Sequence, residues 1–208
     1  MPLFKTIPVT DGLIGIWELT ETSAALMTVF SPEEIADPDF QKYTYEKRKV
    51  EWLASRLMLK QLIGPDFKIS YSETGKPLLR HAKYKQLSIS HSRNFAVIFV
   101  HESREIGIDI ESLTRNYQSI EKRYLSDAEL VQVDQNPVLQ CLYWCAKEAI
   151  FKLVPEQGIE FREQILVLPF NPETENHFKA KFISDKQQTE YQLQFIHFSD
   201  HGMVWVMR

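Results

Sequence analysis

The stretch Ile106-Gly-Ile-Asp-Ile-Glu-Ser112, IGIDIES, decides how this chain is read. A run rich in β-branched apolar residues has the character of a buried strand. Yet it carries Asp109 and Glu111 two positions apart, and side chains at i and i+2 share one face of a strand. Two carboxylates side by side repel, and each resists burial. The strand therefore implies a cation beside it, and a use for that cation.

The surroundings bound what the cation is for. The chain has 208 residues, 44% hydrophobic and 25% charged, enough for one large domain or two small ones. Its start, MPLFKTIPVT, has one Lys and no long apolar run, so it does not read as a signal peptide. The longest apolar run, Phe95 to Val100, is far short of the roughly 20 residues of a membrane helix. The expectation is a cytoplasmic protein with no membrane partner. A net charge of −4 argues against a general nucleic-acid binder. Its distribution says more. From Gln41 to Arg93 there are twelve Lys and Arg against four Asp and Glu, and from Glu102 to Asp134 four against eight. A basic zone followed by an acidic one suits a ligand with several phosphates plus a metal ion. Cys141 and Cys145, the only cysteines, stand i, i+4 with no second pair to complete a metal site. They read as reduced thiols on an apolar helix face.

The chain also echoes itself. IGIWE at Ile14 returns as IGIDI at Ile106, and WLASRLMLK at Trp52 returns as WCAKEAIFK at Trp144, both at an offset of 92. FSPEE at Phe30 is echoed by LSDAE at Leu125, and Ser31/Glu34 and Ser126/Glu129 both fit a capping box. The expected fold class is therefore α+β, with two similar lobes, residues 1–104 and 105–208, each an antiparallel sheet packed with a long helix, and a cleft between them. Expected strands lie near Leu13 to Leu19, at FKISYS, QLSIS and NFAVIFVH, then at IGIDIES, QILVLPF, HFKAKFI, TEYQLQFIHF and GMVWVM. Long helices are expected over about Tyr43 to Leu62, stopped by Gly64 and Pro65, and about Val138 to Val154.

The copies differ where chemistry would need them to: Trp17 stands opposite Asp109, and Arg56 opposite Glu148. Glu148 and Lys152 are i, i+4 on one helix face. With Asp109 and Glu111 nearby they make an oxygen-rich site for a hard cation, with Mg²⁺ expected, of the kind that keeps waters and binds substrate phosphates. The first lobe offers Gly75 for a tight turn, Lys76 as a point charge, His91 at a strand end, and Arg56 with Lys60 one turn apart on the long helix.

GKP (Gly75 to Pro77), SISHS (Ser88 to Ser92), GIDIE (Gly107 to Glu111), RYLSDAE (Arg123 to Glu129) and WCAKEAIFK (Trp144 to Lys152) together resemble the 4'-phosphopantetheinyl transferases, in their two-lobed, surfactin-synthetase-activating class. The resemblance implies transfer of the phosphopantetheine arm of coenzyme A to a serine of an acyl or peptidyl carrier protein, releasing adenosine 3',5'-bisphosphate. It implies that Asp109, Glu111 and Glu148 hold Mg²⁺, that Glu148 takes the serine proton, and that Lys152 stabilises the leaving phosphate. It implies that Arg56, Lys76, Ser90 and His91 bind coenzyme A, with Arg56 reaching the 3'-phosphate. A monomer is expected, since two lobes make their own cleft. A non-catalytic module that binds carrier protein or coenzyme A is the alternative. A magnesium nuclease would need Lys where Leu113 stands.

Overall fold

The computed structural model describes residues 3–184 and 187–208. The chain opens with a hairpin, β1 (Leu3–Val9) and β2 (Gly12–Glu18), joined by a two-residue turn in which Asp11 has φ 55. Short helices α1 (Ser23–Met27), α2 (Pro32–Ile35) and α3 (Pro38–Gln41) lead to the long α4 (Glu46–Ile63). Then come β3 (Lys68–Tyr71), β4 (Pro77–Arg80), β5 (Gln86–His91), β6 (Phe95–His101) and β7 (Ile106–Ser112). Helices α5 (Glu121–Tyr124) and α6 (Asp127–Val133) precede the second long helix, α7 (Pro137–Leu153). Helix α8 (Phe161–Gln164) and strands β8 (Ile165–Val167), β9 (His177–Ile183), β10 (Gln188–Phe198) and β11 (His201–Met207) complete the order. Among the described residues three sheets form, all antiparallel: β1-β2-β6-β5, β7-β11-β10-β9-β8, and the pair β3-β4.

Helix ends follow their local chemistry. Ser31 and Ser126 each close a full capping box with Glu34 and Glu129. Asn136 caps α7 by accepting from the Val138 and Leu139 N–H groups, with Pro137 in the first turn, where a missing N–H costs nothing. Gly64 ends α4 at φ 86. The sequence-based boundaries hold to within a few residues. The reading placed α2 and α6 after their capping boxes and missed β1, β4 and the short helices α1, α3, α5 and α8. For β1 the signal was present: Asp11-Gly12 between two apolar runs is hairpin chemistry.

The two larger sheets face each other through one core. Ile14, Ile16, Phe95, Val97 and Phe99 meet Ile106, Ile108, Ile110, Met203 and Trp205 there. The opposite faces carry the helices. Trp17, Ala96, Ile98 and Val100 pack with Leu53 and Met58 of α4. Val204 and Val206 pack with Leu142, Ala146 and Ile150 of α7. The layers thus run helix, sheet, sheet, helix, and β2, β6 and β11 are covered on both faces. That is why β6 reads as an unbroken apolar run rather than an alternating one. Cys141 and Cys145 are free and buried in the α7 core, as the apolar-face reading expects.

Candidate active site

Strand β7 answers the question its sequence raises. Its residues 106, 108 and 110 are the three isoleucines of the inter-sheet core. Its odd-numbered residues face α7, and Gly107 lets that helix come close: a Cβ there would stand 1.9 Å from the Ala149 carbonyl oxygen. The close approach brings Lys152 onto the strand. Its Nζ donates to the Ile108 carbonyl (3.0 Å) and to Asp109 Oδ1 (2.7 Å). The cation beside the carboxylates, in this state, is Lys152.

β7 and β5 are edge strands, and their edges meet. Ser88 Oγ accepts from the Ile108 N–H at 3.2 Å, and Ser90 Oγ donates to Asp109 Oδ1 at 2.6 Å. Side chains thereby satisfy backbone groups that an edge leaves open. Strand β5 divides its work by parity. Ser88 and Ser90 turn to β7, while Leu87 and Ile89 pack on the α4 side with His91 at the end of that row.

Asp109 is 5% exposed, and its Oδ1 is fully engaged, whereas Oδ2 is buried with no partner. Glu111 is half-buried and paired with Arg115, whose guanidinium also lies 4.5 Å from the Trp144 ring centroid. Burial pushes the Glu111 carboxyl up, Arg115 pulls it down, and Asp109 pushes it up again. Glu148 is raised to about 7, first by burial and then by Asp109, against the pull of Lys152. Asp109, Glu111, Glu148 and Lys152 are therefore in electrostatic reach of one another. Among the described residues, no three such side chains are already closed into a metal cage. Lys152 and Arg115 hold Asp109 and Glu111 instead.

The basic residues gather on either side of the 72–77 turn. There Ser72 N–H donates to Lys76 O (3.0 Å) and Gly75 has φ 80. One cavity of about 510 Å³ lies between this turn, β5 and residues 151–158, and both Lys76 and Lys152 line it. Lys76 Nζ reaches the Leu153 carbonyl at 3.5 Å. A second cavity of about 280 Å³ is lined by Arg48, Arg56, Tyr71 and His91. Arg56 donates to Tyr71 OH (2.8 Å) and to Ser55 Oγ (3.1 Å), with its guanidinium 4.1 Å from the Trp52 ring centroid. His91 lies between Arg48 (3.2 Å from Nε2) and Glu51 (3.4 Å from Nδ1). Burial lowers the imidazole's pKa, Glu51 raises it, and Arg48 and Lys152 lower it further.

The sequence reading named Asp109, Glu111, Glu148, Lys152, Ser90, His91, Lys76 and Arg56. The structure links Ser90, Asp109 and Lys152 directly. It sets His91 and Arg56 on one cavity and Lys76 and Lys152 on the other. Ser90 bonds a carboxylate here rather than facing a cavity. The reading missed Ser88, Arg115, Tyr71 and Glu51, and held Arg48 only as one of several basic candidates with Lys42, Lys47 and Lys49. Arg115 alone had a signal, standing four residues after Glu111.

Residues 105–205 match a family model for the 4'-phosphopantetheinyl transferase superfamily. The chain is 28% identical over 165 residues to 4'-phosphopantetheinyl transferase HetI of Nostoc sp. (strain PCC 7120), covering 71% of this chain and 69% of that protein. It is 29% identical over 112 residues to 4'-phosphopantetheinyl transferase AcpT of Salmonella typhimurium, covering 50% of this chain and 58% of that one. Against AcpT of Escherichia coli K12 the identity is again 29%, over 57% of the relative. The chain thus spans somewhat over half the length of the AcpT relatives. No helix among the described residues is long and apolar enough to cross a membrane. Residues 105–205, the span that carries Asp109, Glu111, Glu148 and Lys152, are thus similar to the 4'-phosphopantetheinyl transferase superfamily.

Proposed function

We propose that the chain transfers the 4'-phosphopantetheine arm of coenzyme A to a serine of an acyl or peptidyl carrier protein, releasing adenosine 3',5'-bisphosphate. The observation that carries this reading is Asp109: a buried carboxylate held through one oxygen by Ser90 and Lys152, with its other oxygen buried and unpartnered. A buried carboxylate oxygen without a donor costs free energy unless a ligand supplies the partner. A divalent cation such as Mg²⁺ fits that oxygen and its carboxylate neighbours, which are hard donors. Held by Asp109, Glu111 and Glu148, it would neutralise charge on the diphosphate of coenzyme A.

This chain's own residues do the rest. Glu148, poised at about 7, takes the proton from the carrier serine as its oxygen attacks the phosphorus next to the pantetheine. Lys152 releases Asp109 and donates to the departing phosphate oxygen, where negative charge develops. Arg56 and His91 bind a phosphate at the smaller cavity, and Lys76 binds one at the larger. Arg115 gives up Glu111 when that carboxylate takes its cation.

The two halves have separate tasks in this reading: residues 1–104 hold coenzyme A phosphates, and 105–208 supply the cation site and the base. They are similar halves of the two-lobed, surfactin-synthetase-activating class. In support, each half has a sheet with a long helix on its outer face and a matched capping box before it. The close-approach glycines also repeat, with Gly15 against Met58 and Leu62 of α4 and Gly107 against Ala149 and Leu153 of α7. The chain acts in the cytoplasm as a monomer.

The test is an assay of the full chain with apo carrier protein, coenzyme A and Mg²⁺, read by mass spectrometry. A gain of one phosphopantetheine on the carrier serine, abolished by EDTA, is expected. No gain across several carrier types would refute the reading.

A further inference from the structure

Glu51 has no part in the reading above, yet it is 4% exposed on α4 and lines the smaller cavity. Three basic groups face it. Arg48 Nη1 pairs with Oε2 at 2.8 Å, and Lys47 Nζ and His91 Nδ1 lie 3.6 and 3.4 Å from Oε1. Oε1 itself has no hydrogen-bond partner. A carboxylate in the wall of an anion-binding cavity repels the anion. Its presence calls for a compensating task.

The geometry gives one. Arg48 Nη1, a donor only, stands 3.2 Å from His91 Nε2, which must then offer its lone pair. The ring proton is left on Nδ1, the nitrogen facing Glu51. Arg48 and Lys47 carry half-exposed heads that are free to swing toward a ligand. The charged groups facing His91 are Glu51 and Arg48 from α4 and Lys152 from α7. Burial and the two cations disfavour the charged ring, and Glu51 is the one side chain among them that favours it.

We propose that Glu51 is a positioning residue of the phosphate cavity: its charge orients the His91 ring from the Nδ1 side and gathers Arg48 and Lys47, so that His91 Nε2 becomes a donor to an arriving phosphate. When the phosphate draws Arg48 away, Nε2 takes a proton from solvent, and the imidazolium lies between phosphate and carboxylate. The inference rests on the reading that coenzyme A is the ligand, and it identifies how one of its phosphates is gripped.

The sign of the effect makes it testable. Calorimetry on the full chain compares coenzyme A and inorganic pyrophosphate, across neutral pH, for wild type and Glu51→Gln. If Glu51 only repels anions, or only stabilises α4, removing its charge tightens binding or leaves it unchanged. The expected result is weaker coenzyme A binding by about tenfold or more, the scale of one lost charge-assisted contact. Wild-type affinity is expected to rise as pH falls, as His91 charges, and E51Q to flatten that dependence. The kcat at saturating coenzyme A is expected to stay within about twofold, since the chemistry lies at α7. Glu51→Asp, which keeps the charge, is expected to keep the pH dependence, and it serves if E51Q fails to fold. Equal or tighter binding by E51Q, or a flat profile in E51D, overturns the inference. Binding that depends on Glu51 without transfer to any carrier would refute the proposed reaction instead, and leave this inference standing.

Discussion

Gly107→Ala probes the contact on which the site is built. An added Cβ would lie 1.9 Å from the Ala149 oxygen, 2.9 Å from its carbonyl carbon and 3.3 Å from Leu153 Cβ. The nearest obstacle is helix backbone, which cannot rotate aside. The strand and helix must part by about 1.1 Å before the first contact reaches 3.0 Å, below which real Cβ contacts essentially do not occur. Overpacking of this kind costs roughly 1–3 kcal/mol and sometimes more. At this chain length that lowers Tm by about 2–4 °C per kcal/mol. The larger effect is chemical. Ala149 is next to Glu148, and Lys152 is one turn on, so the shift is delivered to the groups that meet Asp109. A misplacement of about 1 Å costs on the order of a hundredfold in rate. The expected result is a kcat for carrier modification about a hundredfold down, measured well below Tm. Gly15→Ala is the control. Its Cβ meets the flexible ends of Leu62 and Met58 at 2.5 and 2.8 Å, far along the chain from the cation site. It should lower Tm and spare kcat. A G107A protein that keeps kcat within twofold of wild type would refute the claim that the β7–α7 approach sets the catalytic geometry.

Other expectations follow from single residues. Burial and Asp109 raise the folded-state pKa of Glu148 from 4.5 to about 7, so the ionised form is penalised in the fold. Stability in cation-free buffer should then fall as pH rises between those values, and Glu148→Gln should abolish that fall; equal Tm–pH slopes for both proteins would contradict it. Asp109→Asn should lose transfer while the fold is kept, and the change in Tm on adding Mg²⁺ to wild type should vanish in the variant. Near-normal turnover by D109N would count against the cation assignment. Lys76→Ala should raise the KM for coenzyme A with little change in kcat; an unchanged KM would remove Lys76 from the phosphate grip. Lys147 is fully buried, donating to Glu129 and to the carbonyls of Phe161 and Ile165. Its replacement by Met leaves Glu129 as an uncompensated buried charge and should cost about 3–5 kcal/mol by denaturant unfolding. A loss under 1 kcal/mol would show that Glu129 is relieved some other way.

The sequence by itself determined those features whose physics is local. Isoleucines at 106, 108 and 110 alternate with Gly107, Asp109 and Glu111, and that period fixed both the strand and the pairing of the two carboxylates on one face. Ser31/Glu34 and Ser126/Glu129 announced helix starts because a capping box is closed by residues three apart. Glu148 and Lys152 shared a helix face because 3.6 residues make a turn. Only the tertiary structure decided who meets whom across the fold. Ser90 and Asp109 are 19 positions apart, and Lys152 and Asp109 are 43 apart. No local period encodes such distances. His91 has the parity of a core residue, yet at the strand end it faces Glu51 and Arg48, which α4 brings against it. Glu51 follows the charged stretch Glu46-Lys-Arg-Lys49, and only the packing of α4 takes it out of water. Backbone propensity is read residue by residue. A buried ion's partner is chosen by which surfaces the whole chain brings out of water together.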